Sequence, residues 1–160
     1  GRRMMQLRCL QPQDAPLMLE WMHDPDAVRY MRADFSGMTL ADCERFIAAA
    51  QQDTPSLHRA VADGAGVYQG TVSLKNCDAD RGEAEFAIAV RRCAMGHGVA
   101  AWGMQAILQL GFSQLGLRRI YWCVAPQNVR ACRFYAKQGY TPLKPEPDEN
   151  GLLWFEVLNG

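Results

Sequence analysis

The sequence lacks an excess of either charge, a Cys-x-x-Cys pair and any long apolar run. Its 17 lysines and arginines balance 17 aspartates and glutamates, so the formal net charge is zero. A neutral chain argues against nucleic acid or an anionic membrane as the main partner. No apolar run approaches the roughly 20 residues that a membrane-spanning helix needs. No secretory hydrophobic segment opens the chain either, so neither membrane insertion nor secretion is expected.

The six cysteines show neither a disulfide framework nor zinc-site spacing. They stand at positions 9, 43, 77, 93, 123 and 132, several of them in apolar runs. This usage is typical of a reduced, cytoplasmic protein with buried thiols, and it predicts that Cys123 belongs to the core. Because His23 and His58 have no carboxylate or cysteine at ligand spacing, we predict no metal site.

The length favours one domain with a substantial core. The chain has 160 residues and a mass of 17.9 kDa, and neither an internal repeat nor a dividing linker interrupts it. We therefore predict a single domain over residues 1–160. The segment Gly1-Arg2-Arg3 precedes Met4 and indicates a cloning remnant.

Hydrophobic periodicity predicts the element order β-α-α-β-β-β-α-β-α-β-β. The predicted strands are residues 5–10, 57–62, 67–74, 83–90, 119–124, 140–143 and 152–158. Helices are predicted after Asp14, Thr39, Gly98 and from Asn128, and Asp24-Pro25 should end the first of them. Hairpins mixed with helix crossovers predict an α+β (mixed α/β) fold, not a doubly wound parallel sheet.

The centre of this pattern is the predicted strand at residues 83–90 and the turn that follows it. The turn contains Gly96 and Gly98 and opens a long apolar helix at Val99. A strand, a glycine turn and a helix start direct main-chain N–H groups and the positive end of the helix dipole at one point. We therefore predict a phosphate-binding site there. No Lys-Ser/Thr pair follows the glycines and no G-x-G-x-x-G follows the first strand, which argues against a nucleotide-binding protein.

Two motifs together resemble the GNAT superfamily of N-acetyltransferases, and the resemblance covers almost the whole chain. In that family a loop of the form (Gln/Arg)-x-x-Gly-x-(Gly/Ala) holds the pyrophosphate of acetyl-CoA, and here it reads Cys93-Ala-Met-Gly-His-Gly98. The second motif, Asn128-Val-Arg-Ala-Cys-Arg-Phe-Tyr135-Ala-Lys-Gln-Gly-Tyr140, is similar to the family's Asn-x-x-Ala/Ser-x-x-x-Tyr-x-x-x-Gly-Phe/Tyr run. The beginning of the chain resembles the branch with ribosomal-protein and small-molecule acetyltransferases, through Leu7-Arg8, Asp14, Glu20-Trp21 and Asp24-Pro25.

The resemblance implies a three-layer fold, with a mixed, mostly antiparallel twisted sheet between helices, and acetyl-CoA as cosubstrate without a metal. The implied pyrophosphate contacts are the main chain of Ala94, Met95, Gly96, His97, Gly98 and Val99. The implied contacts of the pantetheine arm are the main chain of Ile88, Ala89 and Val90 together with Asn128. Cys93 replaces the usual glutamine or arginine, which should weaken the anchor, and Arg91 or Arg92 is expected to supply the charge.

The resemblance also implies the catalytic groups. Tyr135 would protonate the departing CoA thiolate as general acid; the alternative is a half-buried aromatic. Aminolysis needs a neutral amine, and Glu85 is our candidate for the base, with Glu83 or a purely solvated role for Glu85 as alternatives. His97 is predicted to be a solvent-facing side chain.

The expected reaction is direct attack of a primary amine in a ternary complex. A covalent acetyl-cysteine route has no Cys/His pair to support it, and a non-catalytic acyl-CoA sensor stays open because of Cys93. The acceptor, small molecule or peptide, is expected between residues 21–35 and 144–154. A protein N-terminus, an aminosugar, an amino acid and a polyamine all remain open, and a monomer or homodimer is expected.

Overall fold

A computed structural model of the chain describes residues 4–160, in which six strands form one sheet. The strands are β1 (Gln6–Arg8), β2 (Leu57–Ala62), β3 (Tyr68–Asp78), β4 (Glu83–Val90), β5 (Arg119–Val124) and β6 (Leu153–Leu158). The helices are α1 (Ala15–Met22), α2 (Pro25–Val28), α3 (Leu40–Ala49), α4 (Val99–Ser113) and α5 (Val129–Lys137).

The strands lie side by side in chain order, from β1 to β6. Neighbours pair antiparallel, except that β4 and β5 are parallel. The exception follows from the connection, because parallel strands need a long crossover and α4 provides it. The predicted α+β fold with a mixed, mostly antiparallel sheet flanked by helices is therefore confirmed.

Helices cover both faces of the sheet, which gives three layers. On one face, apolar side chains of α4 such as Met104 and Ile107 pack against Val72 and Phe86 in one core cluster, which also includes Tyr135 of α5. On the other face, α1 and α3 form a second cluster with Ala60 and Tyr68. Successive side chains of a strand point to opposite faces, so β2, β3 and β4 contribute to both clusters, whereas β1, β5 and β6 contribute to the first. None of the helices within residues 4–160 is long and apolar enough to cross a membrane.

Two elements differ from the sequence prediction. Residues 140–143 do not form a strand; the segment makes one backbone bond to β6, from the Leu143 N–H to the Trp154 carbonyl (2.8 Å), and continues through prolines, which lack the N–H of a strand ladder. The first helix ends before Asp24 as predicted, but a further short helix, α2, starts directly after it. The Asp24 side chain caps α2 by accepting the Asp26 N–H (3.1 Å).

Gly70 is required where β3 passes close to β4. A Cβ atom at this position would lie 2.7 Å from the Ala89 carbonyl oxygen and 2.8 Å from Val90 Cγ1. Both atoms belong to the last residues of β4, and a main-chain oxygen cannot rotate away as a flexible side chain could. The glycine therefore sets the distance between the two strands at the end of β4.

We predict that Gly70→Ala lowers the free energy of unfolding by about 1–2 kcal/mol. The overpacking costs about 1–3 kcal/mol, and removing a flexible glycine returns roughly 0.5–1 kcal/mol. Gly37→Ala is the matched control, because no atom lies within 4 Å of the Cβ position there. Urea unfolding curves of both variants check this, and equal stability of the two would contradict the assigned close approach.

Candidate functional site

The parallel pairing of β4 with β5 stops after three residues. Glu83, Ala84 and Glu85 pair with residues 119–121 of β5, whereas β4 pairs with β3 up to Val90. Within the described residues 4–160, the second half of β4 therefore has no strand partner on its β5 side. The two strands diverge and leave a gap, which we call the β4–β5 gap (residues 86–90 and 122–124).

The main-chain groups that point into this gap can be identified from the strand ladder. The Arg91 N–H donates to the Gln69 carbonyl of the β3 side (2.9 Å). Because main-chain groups alternate along an antiparallel pair, those of Ile88 and Val90 point away from β3 and into the gap. Those of Ala89, the third residue of the predicted set, point toward β3. The gap thus exposes donors and acceptors in the spacing of a strand edge.

The turn after β4 presents main-chain N–H groups at the mouth of the gap. Gly96 and Gly98 both have φ of 79°, in the left-handed region that favours glycine, and Gly98 caps α4. The Trp102 N–H donates to the Gly98 carbonyl (3.0 Å), so the N–H groups of the residues before it in the helix have no helical acceptor. Ala94 and Val99 are buried, and the residues at 96–98 are exposed. An exposed glycine turn that opens a helix has the arrangement of an anion-binding helix N-terminus, and we call residues 94–99 the anion cradle.

Arg91 and Arg92 do not offer the free charge that the sequence led us to expect. Arg91 Nε lies 3.0 Å from Glu20 of α1. Arg92 contacts Asp24 at 2.6 Å and Asp26 at 2.9 Å. The pKa of Arg92 is raised, chiefly by its hydrogen bond to Asp24. Both guanidinium groups are already neutralised, and they tie the cradle to α1 and α2.

A cation that the sequence analysis missed lies next to the cradle. Arg130 Nη1 is 3.2 Å from the Met95 sulfur, and the side chain is exposed. Arg130 forms no salt bridge within residues 4–160. It stands two residues after Asn128, in the first turn of α5. The second motif therefore contained this residue, but the motif did not indicate that it lies beside Met95.

Asn128 and Tyr135 lie at opposite ends of α5. The Asn128 Oδ1 accepts the Ala131 N–H (3.2 Å), which is an N-cap contact. The Tyr135 ring packs on Trp122 (ring centroids 5.4 Å apart) and Phe155 (5.3 Å) and is only 7% exposed. Burial raises the pKa of Tyr135, and the nearby Cys123 adds to the effect. The phenol is therefore protonated at neutral pH.

Four half-buried side chains share the sheet face opposite α4, beside the gap: Glu85, Tyr121, Cys123 and Trp154, which we call the β4–β6 face. The Tyr121 and Trp154 rings lie 6.2 Å apart. Burial raises the pKa of the Cys123 thiol first, and the charge of Glu85 raises it further. The charge of Glu85 therefore influences the Cys123 thiol, and the same thiol contributes to the raised pKa of Tyr135.

Glu83 and Glu85 differ in their partners. The Glu83 carboxylate accepts a bond from Arg119 at 2.7 Å and is held in a salt bridge. Glu85 accepts only a hydrogen bond from Asn76 Nδ2 (3.3 Å) among the described residues. Glu85 is thus the carboxylate of the pair that is not neutralised by a cation.

Cys123 does not belong to the core, contrary to the sequence prediction. Its neighbours Trp122 and Val124 are buried, but the thiol is on the other face and half-exposed. Arg32 reaches it from the connector between α2 and α3, with Nη2 4.0 Å from the sulfur. Arg32 also lowers the pKa of Asp148, although less than the hydrogen bonds of that carboxylate do. The segments 21–35 and 144–154 therefore meet over the β4–β6 face.

The histidines lie outside this arrangement. His97 is exposed on the turn, as predicted. His58 Nδ1 lies 2.6 Å from Ser73 Oγ, and burial lowers the pKa of its ring. In the described part of the chain, no group of three His, Cys, Asp or Glu side chains could hold a metal ion.

Comparisons with known proteins point to one family. The sequence profile described as "Acetyltransferase (GNAT) domain" matches residues 5–141. Comparison with curated protein sequences gives no match. Among solved structures, a spermidine N-acetyltransferase from Vibrio cholerae in complex with CoA and spermine is similar, with a TM-score of 0.83 and 22% identity over 97% of this chain and 95% of that chain.

Two further solved structures show the same fold. A dodecameric structure of the Vibrio cholerae enzyme has a TM-score of 0.76 and 22% identity, over 97% of this chain and 94% of that chain. A protein described as a probable acetyltransferase has a TM-score of 0.80 and 18% identity, over 96% of this chain and 92% of the other.

We predict that Arg130→Ala weakens CoA binding about fivefold, which corresponds to roughly 1 kcal/mol for an exposed charge contact. The loss should shrink at high salt, because an exposed ion pair is screened. Arg133→Ala, which removes another exposed arginine of α5, is the control. Calorimetric titration measures the affinity of each variant for CoA. Equal affinities of Arg130→Ala and Arg133→Ala would exclude Arg130 from the anion site.

Proposed function

The chain belongs to the GNAT acetyltransferase family, and on that premise we propose that it moves the acetyl group of acetyl-CoA to a primary amine by direct attack in a ternary complex. The observation that carries this proposal is the β4–β5 gap, with the anion cradle at its mouth and the side chains of Glu85 and Tyr135 beside it. A thioester in the gap would lie between a free carboxylate and a protonated phenol.

The exposed main-chain groups fit coenzyme A. The N–H groups at residues 96–99 suit a diphosphate, with Arg130 as an additional charge. Ile88 and Val90 can pair with the amides of the pantetheine arm, as a sheet edge pairs with an added strand. One of these N–H groups would polarise the thioester carbonyl. The free amide nitrogen of Asn128 can also contact the arm, since only the oxygen of that side chain is used for capping.

Glu85 is proposed as the base. An alkyl ammonium has a pKa near 10, so the nucleophile is almost fully protonated at neutral pH. A carboxylate beside the amine, acting directly or through water, can accept this proton. Its freedom from salt bridges supports Glu85 over Glu83, whose carboxylate is bound by Arg119.

Tyr135 is proposed as the general acid. The departing thiolate of CoA resembles a free thiol, with a pKa of about 8.5, and it needs a proton as the thioester breaks. The raised pKa of Tyr135 keeps the phenol protonated, which supports this role. Asn128 and Tyr135 are two helical turns apart, so both can face the same bound arm.

Two competing mechanisms have weaker support. In a covalent route a cysteine thiolate would carry the acetyl group, but burial raises the pKa of Cys123 and disfavours its thiolate. An acyl-CoA sensor was suggested by Cys93 at the position of a usual glutamine or arginine. The Cys93 side chain is exposed and the cradle consists of main-chain groups, so this replacement leaves the cradle geometry intact.

The acceptor class, location and assembly are further parts of the proposal. Polyamines belong in any test panel, because similar structures are described as spermidine N-acetyltransferases. All six cysteines are free thiols, which supports a reducing, cytoplasmic environment. We propose a single catalytic domain over residues 1–160, acting as a monomer or homodimer.

We predict that Tyr135→Phe lowers kcat roughly 100-fold or more, the usual contribution of general acid catalysis. The affinity for acetyl-CoA should stay within about twofold, because the ring and its packing are kept. Tyr140→Phe is the control: its ring also packs on Trp122, and its hydroxyl only reaches Gln105 (3.4 Å). Unchanged turnover in Tyr135→Phe would remove this residue from the mechanism.

We predict that Glu85→Gln slows turnover strongly at neutral pH and changes the pH–rate profile. Without a base, only the free amine reacts, so the rate should rise about tenfold per pH unit up to the acceptor pKa near 10. The difference in turnover rate between Glu85→Gln and the wild type should therefore disappear at high pH. Glu83→Gln is the matched control and should keep the wild-type profile; an identical profile in Glu85→Gln would exclude Glu85 as the base.

A further inference from the structure

One guanidinium at the β4–β6 face has no carboxylate bound to it. Most arginines around the sheet are neutralised: Arg91 by Glu20, Arg92 by Asp24 and Asp26, and Arg119 by Glu83 and Glu156. Arg32 is exposed and forms no salt bridge within residues 4–160. Its Nη2 lies 4.0 Å from the Cys123 sulfur, so its charge is directed at the floor of the candidate acceptor site.

The same thiol lies within electrostatic range of an anion. Glu85 pairs with Tyr121, two residues before Cys123 on the same face of the sheet. Its charge raises the pKa of Cys123, whereas Arg32 lowers it. Both groups are on the face where residues 21–35 and 144–154 meet. An acceptor entering there approaches a proton acceptor and a guanidinium that forms no salt bridge within residues 4–160.

The neighbouring carboxylate, Asp148, forms no salt bridge with Arg32, although the charge of Arg32 contributes to its lowered pKa. Its oxygens accept the Trp154 indole N–H (2.7 Å) and the N–H groups of Asn150 and Leu152 (2.9 Å each). These bonds hold the loop before β6 in place and lower the pKa of Asp148. The donors of Arg32 remain available for a ligand.

We propose that the acceptor is a small amine that also carries an oxyanion, a carboxylate or a phosphate, which Arg32 binds while the amino group points toward Glu85. This inference rests on the proposed acetyl transfer. A guanidinium binds carboxylate and phosphate oxygens in a two-point geometry that it cannot offer to an amine. A polyamine carries only positive charge and would place one cation near another. Arg32 is therefore a residue that determines specificity.

Matched pairs of acceptors test the inference in the wild-type protein. Leucine is compared with leucinamide, and glucosamine 6-phosphate with glucosamine; spermidine serves as the polycation. Acetyl transfer is followed by thiol release and mass spectrometry. We expect kcat/KM to be at least tenfold higher for the anionic member of one pair. A preference for leucine indicates a carboxylate, and a preference for glucosamine 6-phosphate indicates a phosphate. Preference for spermidine or for both neutral members would overturn the inference.

Substitutions at Arg32 provide the second arm. Arg32→Ala should raise KM for the anionic acceptor about tenfold with little change in kcat, Arg32→Lys should restore part of it, and Arg32→Glu should shift preference toward spermidine. Arg29→Ala, at an exposed arginine that lies over Tyr30, is the matched control. A KM unchanged in Arg32→Ala would overturn the inference.

The two proposals fail in distinguishable ways. Acetylation of spermidine, leucinamide or glucosamine alone overturns the role of Arg32 and leaves acetyl transfer to an amine intact. Absence of transfer to every amine, with acetyl-CoA still bound, overturns the proposed function and with it the inference. CoA affinity should be equal in the wild type and in all Arg32 variants, since Arg130, not Arg32, lies at the cradle.

Discussion

The early end of the parallel pairing between β4 and β5 is the constraint on which the rest of the site depends. Main-chain donors and acceptors inside a protein need partners, and leaving one unpaired costs about 1–3 kcal/mol. The chain leaves those of Ile88 and Val90 without a strand partner among the described residues, next to a well-packed aromatic cluster around Trp122. A ligand with its own amides can satisfy them, and the pantetheine arm is such a ligand.

The charged side chains nearest the cradle in sequence are already paired within the protein. Arg91 and Arg92, the nearest in sequence, are bound by carboxylates of α1 and α2. These contacts connect the cradle with the segment that leads to Arg32. Two cations that form no salt bridge within residues 4–160 lie elsewhere: Arg130 contacts Met95 of the turn, and Arg32 lies beside Cys123 of β5.

Local pattern was enough to predict most of the fold, since alternation along β4, apolar spacing in α4 and the glycine turn are all encoded within a few residues. The prediction of a strand at residues 140–143 was wrong because a suitable composition does not ensure a pairing partner. The free charges were mispredicted for a similar reason. Whether Arg91 is neutralised depends on Glu20, 71 residues away in sequence, and no local rule reports such a contact. Cys123 was assigned to the core because it stands in an apolar run. Its place beside Arg32 follows from the α2–α3 connector, whose path the sequence pattern did not predict.

A crystal structure with acetyl-CoA bound tests the central claim most directly. The account predicts diphosphate oxygens at hydrogen-bond distance, roughly 2.7–3.2 Å, from the N–H groups of residues 96–99. It also predicts the pantetheine amides on the main chain of Ile88 and Val90, and the Tyr135 hydroxyl beside the sulfur. A complex in which the cofactor lies outside the β4–β5 gap, or in which β5 closes onto β4 beyond Glu85, would contradict it.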